Sequence, residues 1–236
     1  MISEIKSEAK RLGIERLCHF TPSRNLVHIA SGKLGVLATA NLKADERNVY
    51  TPTDLRRLDG HVGYISCSVQ YPNAWYFDKA RSAGTLFKDW VIMLIDPRHL
   101  WVKGTRFCPR NAAGAGGRQV SEGASAFLGL FEDSVLGAYG NAYIRSAKHL
   151  PCCPTDEQAE VLVPDAIPLQ DVLGVVVSSD TQARNELARF RHLQIRADQF
   201  PIIVSPTLFD KRALSRCIRS GSRPAETIWN GGGRGR

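Results

Sequence analysis

The chain of 236 residues has no apolar run approaching the ~20 residues needed to cross a bilayer. Its longest are WVIMLI at 90–95 and LGVVV at 173–177, so no membrane span is expected. The opening MISEIKSEAKRLG interleaves Glu and Lys with apolar residues at helical spacing and lacks the apolar core of a secretory signal, which points to the cytoplasm. No CxxC pair occurs among Cys18, Cys67, Cys108, Cys152, Cys153 and Cys217, and two adjacent cysteines are poorly placed to share a zinc. Reduced thiols and no metal are therefore expected. The absence of G-x-G-x-x-G excludes the Gly-rich dinucleotide turn of doubly wound sheets. There is no internal repeat. Acid is missing from the whole stretch 103–118, and its Gly/Ala-rich middle reads as a mobile basic loop.

What is present suits one large mixed domain. Hydrophobic residues make up 43% of the chain, enough for a real core. A single domain over 1–220 is expected, followed by a flexible Gly/Arg-rich tail at 221–236. Ile2, Ile5, Ala9 and Leu12 recur at helical spacing, with Gly13 able to close that helix. ERLCHFT reads as a strand and PSRNLVHIASG as a short helix, with Pro near its start. GHVGYISCSVQ, DWVIMLID, DVLGVVVSS and QFPIIVS read as further strands. NAWYFDKARSAGTLF, residues 121–136 and a polar stretch near 180–190 read as helices. The fold class is α+β. The net charge of +8 favours polyanionic partners, although general solubility explains it almost as well.

Several residue sets could carry chemistry. In DEQAEVLVP (156–164), Gln158 and Glu160 stand two apart in an extended segment, hence on one face and roughly 6–7 Å from each other. They form either a solvated strand end or a catalytic pair, while Glu157 points the other way as a solvated neighbour. His19 and Thr21 share a face of the first strand, where a histidine is either structural or a ligand contact. Tyr143, Arg145, Lys148 and His149 put cations beside an aromatic, the combination that neutralises phosphates and stacks bases, or else they are chance charges on a solvated loop.

Four pieces occur in a telling order: CHFTPSRNL (18–26), RLDGHVGYISCSVQYPN (57–73), a basic and aromatic loop, and QAEVLVP (158–164). Together they resemble the DarT family of ADP-ribosyltransferase toxins, over roughly residues 15–205. The wording of 57–73 looks more like a guanosine-directed branch than the thymidine-directed one. The resemblance implies a split β-sheet core with flanking helices and long substrate loops, two small sheets around a cleft that takes NAD as co-substrate. It implies transfer of ADP-ribose to a base of single-stranded DNA, and a macrodomain antitoxin, DarG-like, as partner. Glu160 would stabilise the positive charge that develops on the ribose as nicotinamide leaves. Gln158 would orient the acceptor. His19, Thr21 and Asn25 would contact NAD, Asn25 being otherwise a capping amide. Arg57 would hold the diphosphate, with Arg56 as the alternative, and Asp59 would steady Arg57 unless the Asp-Gly step is a plain turn. Gln-x-Glu is also compatible with arginine-directed transferases, so RNA or protein remains an alternative acceptor, and a non-enzymatic basic nucleic-acid-binding module is the remaining rival.

Overall fold

Helix α1 (Ile2–Leu12) turns Ile5, Ala9 and Leu12 inward and ends at Gly13, whose φ of 71° lets the chain reverse into the first strand. The structure is a computed structural model describing residues 2–32, 34–42, 58–83, 88–137, 140–196 and 198–231. Strand β1 (Leu17–Pro22) leads directly into α2 (Ser23–Ser31), then β2 (Val36–Leu37) and β3 (Tyr64–Val69). Helix α3 (Ala74–Ala83) precedes β4 (Trp90–Ile95), the apolar run noted above, in which all six residues are buried between β1 and a later strand. Short elements follow: β5 (Arg106–Cys108), β6 (Ser121–Glu122), α4 (Ala124–Leu128), and a hairpin of β7 (Ser134–Leu136) and β8 (Ala142–Ile144). β9 (Glu160–Pro164), β10 (Ala166–Ile167) and β11 (Val172–Val177) are joined by α5 (Asp180–His192) to β12 (Ile202–Val204). Helix α6 (Lys211–Ser220) and β13 (Thr227–Ile228) close the described chain. No described helix is long and apolar enough to cross a membrane.

Nine of the described strands form one sheet in the order β13-β12-β11-β4-β1-β3-β9-β5-β6, but its two parts barely touch. β1 pairs with β3 only at Leu17↔Val69 and Cys18↔Ser68. Beyond that point β1 continues along β4 as far as Pro22↔Trp90, whereas β3 turns to β9 over Tyr64–Cys67. The sheet thus splits as the resemblance implies. Its closed end is tied by Gln70, whose backbone oxygen accepts from Arg16 Nε at 2.9 Å and whose side-chain oxygen accepts from the Glu15 amide at 2.9 Å.

Two expectations need correction. The acid-free stretch after residue 103 is not a loose loop. It contains β5, paired antiparallel to β9, and it buries Phe107, Cys108 and Ala112, because a three-residue strand next to an interior strand needs few apolar side chains of its own. Likewise the helix expected over 121–136 survives only as α4 and one 3-10 turn before β7 begins. The expected tail is also partly built into the sheet. Glu226 takes two donors from Arg16, one of them at 2.7 Å, and Thr227 and Ile228 pair with β12, while residues 232–236 lie outside the described chain.

Candidate active site

The split leaves backbone groups on β1 and β3 without ladder partners, and side chains take their place. His19 Nδ1 lies 2.9 Å from the Ser66 carbonyl oxygen. A carbonyl only accepts, so Nδ1 carries the proton and Nε2 of the neutral ring is the acceptor. One turn into α2, Asn25 Nδ2 donates to Thr21 Oγ1 at 2.9 Å, and both residues are buried. Beyond them the two diverging strands enclose a cavity of about 150 Å³. One wall is apolar, from Ile29, Val36 and Leu42. The others present His19, Thr21, Asn25, Ser66, Ser68, Asn73, Tyr76, Asp59, Asn111 and Glu160.

Glu160 is the first residue of β9 and is 8% exposed. Its Oε2 accepts from Ser66 Oγ at 2.8 Å, and its Oε1 accepts from Asn111 Nδ2 at 2.8 Å and from the Ala112 amide at 3.4 Å. The Asn111 side chain is itself fixed, since its oxygen accepts from the Ala113 amide at 3.1 Å and caps the 3-10 turn at Ala112–Ala115. A carboxylate at the cavity edge is thus held by donors from two neighbouring strands and a cap. Sequence reasoning gave no role to Ser66 or Asn111. Ser66 was discoverable from β3, where Ser66 and Ser68 alternate onto one face among apolar residues. Asn111 carried only the weak signal of an Asx cap before a small-residue run.

The structure brings His19, Thr21, Asn25, Asp59 and Glu160 to one cavity, and it treats the remaining candidates differently. Arg56 and Arg57 lie outside the described residues. Asp59 is buried, its Oδ1 accepts from the His61 amide at 3.2 Å, and Gly60 has a φ of 73°, so the Asp-Gly step is a turn that also lines the cavity. Gln158 is not in an extended segment. It occupies a turn closed by its own amide on Asp156 Oδ1 at 2.9 Å, and it does not line the cavity with Glu160. The turn wins because Asp156 is buried, which raises its carboxyl above the ordinary range, and the Gln158 amide is the donor that offsets that burial. Glu157 is no solvated neighbour either. Only 7% of its side chain is exposed, and it accepts from Ser215 Oγ at 2.8 Å, Arg219 Nε at 2.9 Å and Trp75 Nε1 at 3.2 Å.

The loop expected to meet nucleic acid divides in two. Tyr143 is half-buried over Gly137 and Lys148 is exposed. Arg145 and His149 instead hold the loop together. His149 is buried with Nε2 3.0 Å from the Pro154 oxygen, and burial pushes its pKa down. Arg145 donates to the carbonyls of Cys153, Leu150 and Pro151 at 2.8–3.2 Å and to Thr155 Oγ1 at 3.3 Å. Arg145→Met strands those acceptors, and we expect a loss of about 2–3 kcal/mol of stability by urea unfolding. The salt dependence of nucleic-acid binding should not change. A reduced salt slope with an unchanged urea midpoint would instead make Arg145 a phosphate contact.

Among the described residues no group of three or more His, Cys, Asp or Glu side chains is arranged to hold a metal ion. The family model described as ssDNA thymidine ADP-ribosyltransferase, DarT, matches residues 18–209. No curated protein matches the chain. Among solved structures, Thermosipho africanus DarTG, in complex with ADP-ribose, is 15% identical with a TM-score of 0.56, the match covering 83% of this chain and 51% of that one. The chain therefore spans about half the length of that relative. Thermus sp. 2.9 DarT, in complex with NAD+, is also 15% identical with a TM-score of 0.50, over 79% of this chain and 97% of that one. At such identity the likeness establishes the fold.

Proposed function

Because the chain belongs to the DarT family, we propose that it transfers ADP-ribose from NAD to a nucleobase of single-stranded DNA. The observation that carries this reading is the carboxylate of Glu160, fixed by Ser66, Asn111 and the Ala112 amide at the edge of a cavity whose other walls offer hydroxyl, amide and imidazole groups. Those groups suit a ligand that presents ribose hydroxyls and a carboxamide, with His19, Thr21 and Asn25 as its contacts. When the bond between nicotinamide and ribose breaks, its electron pair leaves with nicotinamide and positive charge grows on the sugar. A fixed carboxylate beside it lowers the barrier, since its attraction is stronger in the transition state than in the ground state. The acceptor base then bonds to the ribose carbon, and the proton that it gives up passes to Glu160. Arg57 remains our candidate for the diphosphate, on the strength of the motif alone.

The relatives support two finer statements. We infer guanine rather than thymine as the acceptor, because RLDGHVGYISCSVQYPN resembles the guanosine-directed wording, although the matching family description names thymidine. We also infer a toxin neutralised by a macrodomain partner, a reading supported by the likeness to a DarTG chain. Incubation with labelled NAD and single-stranded oligonucleotides that differ at one base, with RNA and protein pools in parallel, tests the reading. Label is expected on guanine-containing DNA, and mass spectrometry locates it. Label entering only protein would overturn the assignment.

A further inference from the structure

The last helix carries more positive charge than its packing explains. α6 reads KRALSRCIRS, with four cations, no acid, and Leu214 and Ile218 as its buried face. Lys211, Ser215 and Arg219 recur every fourth residue and form one stripe. That stripe surrounds Trp75 on α3. Lys211 Nζ sits 5.5 Å from the indole centroid, and Ser215 and Arg219 both donate to Glu157. The indole N–H donates to the other oxygen of that same carboxylate, so the ring is fixed by one edge while 39% of the residue stays exposed.

Arg212 and Arg216 form the adjacent row. Both are exposed, and neither is in an ion pair among the described residues. Two guanidiniums four residues apart repel each other in the free protein, a cost that a polyanion removes. Lys148 extends the row, its carbonyl oxygen lying against Gly221 just past the helix. The surface adjoins the cleft on two sides. Trp75 shares the first turn of α3 with cavity-lining Tyr76, and Glu157 precedes Glu160 in the turn that enters β9.

We propose that Trp75 with the Arg212/Arg216 row is a track for single-stranded nucleic acid outside the cleft, in which a base stacks on the indole and phosphates lie along the arginines. This rests on the substrate reading above. The test measures binding of a fluorescein-labelled single-stranded DNA oligonucleotide across a salt series, transfer to that oligonucleotide, and NAD hydrolysis without DNA. Each single-strand phosphate contact contributes about 0.7 to the log–log salt slope, so R212E/R216E is expected to flatten it by about 1.4. Trp75→Ala is expected to weaken binding about tenfold without altering the slope, whereas Trp75→Phe keeps most of the affinity because the ring survives. NAD hydrolysis should be unchanged in all three. If the wild type modifies the oligonucleotide and the variants match it in affinity, slope and KM for DNA, the track is wrong, the surface serves another partner such as a protein, and the function stands. If the wild type neither binds nor modifies single-stranded DNA, the functional reading fails and the track with it.

Discussion

Glu160→Gln is expected to lower ADP-ribose transfer to single-stranded DNA by about three orders of magnitude, equal to roughly 4 kcal/mol of barrier, with the fold intact. The substitution is nearly isosteric, and its surroundings can accept it. The amide oxygen can still take the donors from Asn111 and Ala112, and the amide NH2 can meet Ser66 Oγ, whose hydroxyl rotates to accept. What disappears is the negative charge opposite the developing sugar cation and the site that takes the acceptor's proton. Single-turnover transfer from labelled NAD measures the loss, and a thermal melt within a few degrees of wild type shows that folding is not its cause. A variant retaining activity within tenfold of wild type would remove Glu160 from the chemistry.

Residues whose local pattern coincides with their environment were legible in the sequence. Ile5, Ala9 and Leu12 of α1 and the six-residue run of β4 are buried where periodicity and length put them. His19, Thr21, Asn25 and Glu160 converge because each sits near a strand or helix end facing the split. The split itself was implied only by family resemblance. Nothing in YISCSV tells that β3 abandons β1 after two residue pairs for a strand almost a hundred positions later, since that choice is made by tertiary pairing. Charge patterns misled where burial decides. Arg145, His149 and Glu157 look like surface residues, yet each spends its hydrogen-bonding capacity on backbone or buried partners. In Gln158, a local Asx turn on Asp156 overrode the expectation of an extended segment.

The support beneath Glu160 can be tested through pH. In Asn111→Asp an oxygen replaces the donor that now sits 2.8 Å from Glu160 Oε1, while the second oxygen can keep the Ala113 amide, so the local shape survives. Two carboxylates at that separation cannot both ionise readily. They titrate as a unit, with the upper step raised by about one unit or more. If transfer requires ionised Glu160, the acid limb of its kcat/KM profile moves to higher pH by that amount. Activity at neutral pH then falls about a hundredfold and recovers as the pH rises. The sign for stability follows from linkage. A carboxyl pair whose pKa is higher folded than unfolded favours the folded state at low pH, so the variant should lose stability relative to wild type as the pH rises through the raised value. Asn111→Ala gives the contrast. It removes a hydrogen bond to a charged group without adding charge, and a loss of roughly ten- to a hundredfold is expected across the whole profile with its limbs in place. Identical, pH-independent losses in the two variants would reduce Asn111 to a turn residue, leaving Ser66 and the Ala112 amide to hold the carboxylate on their own.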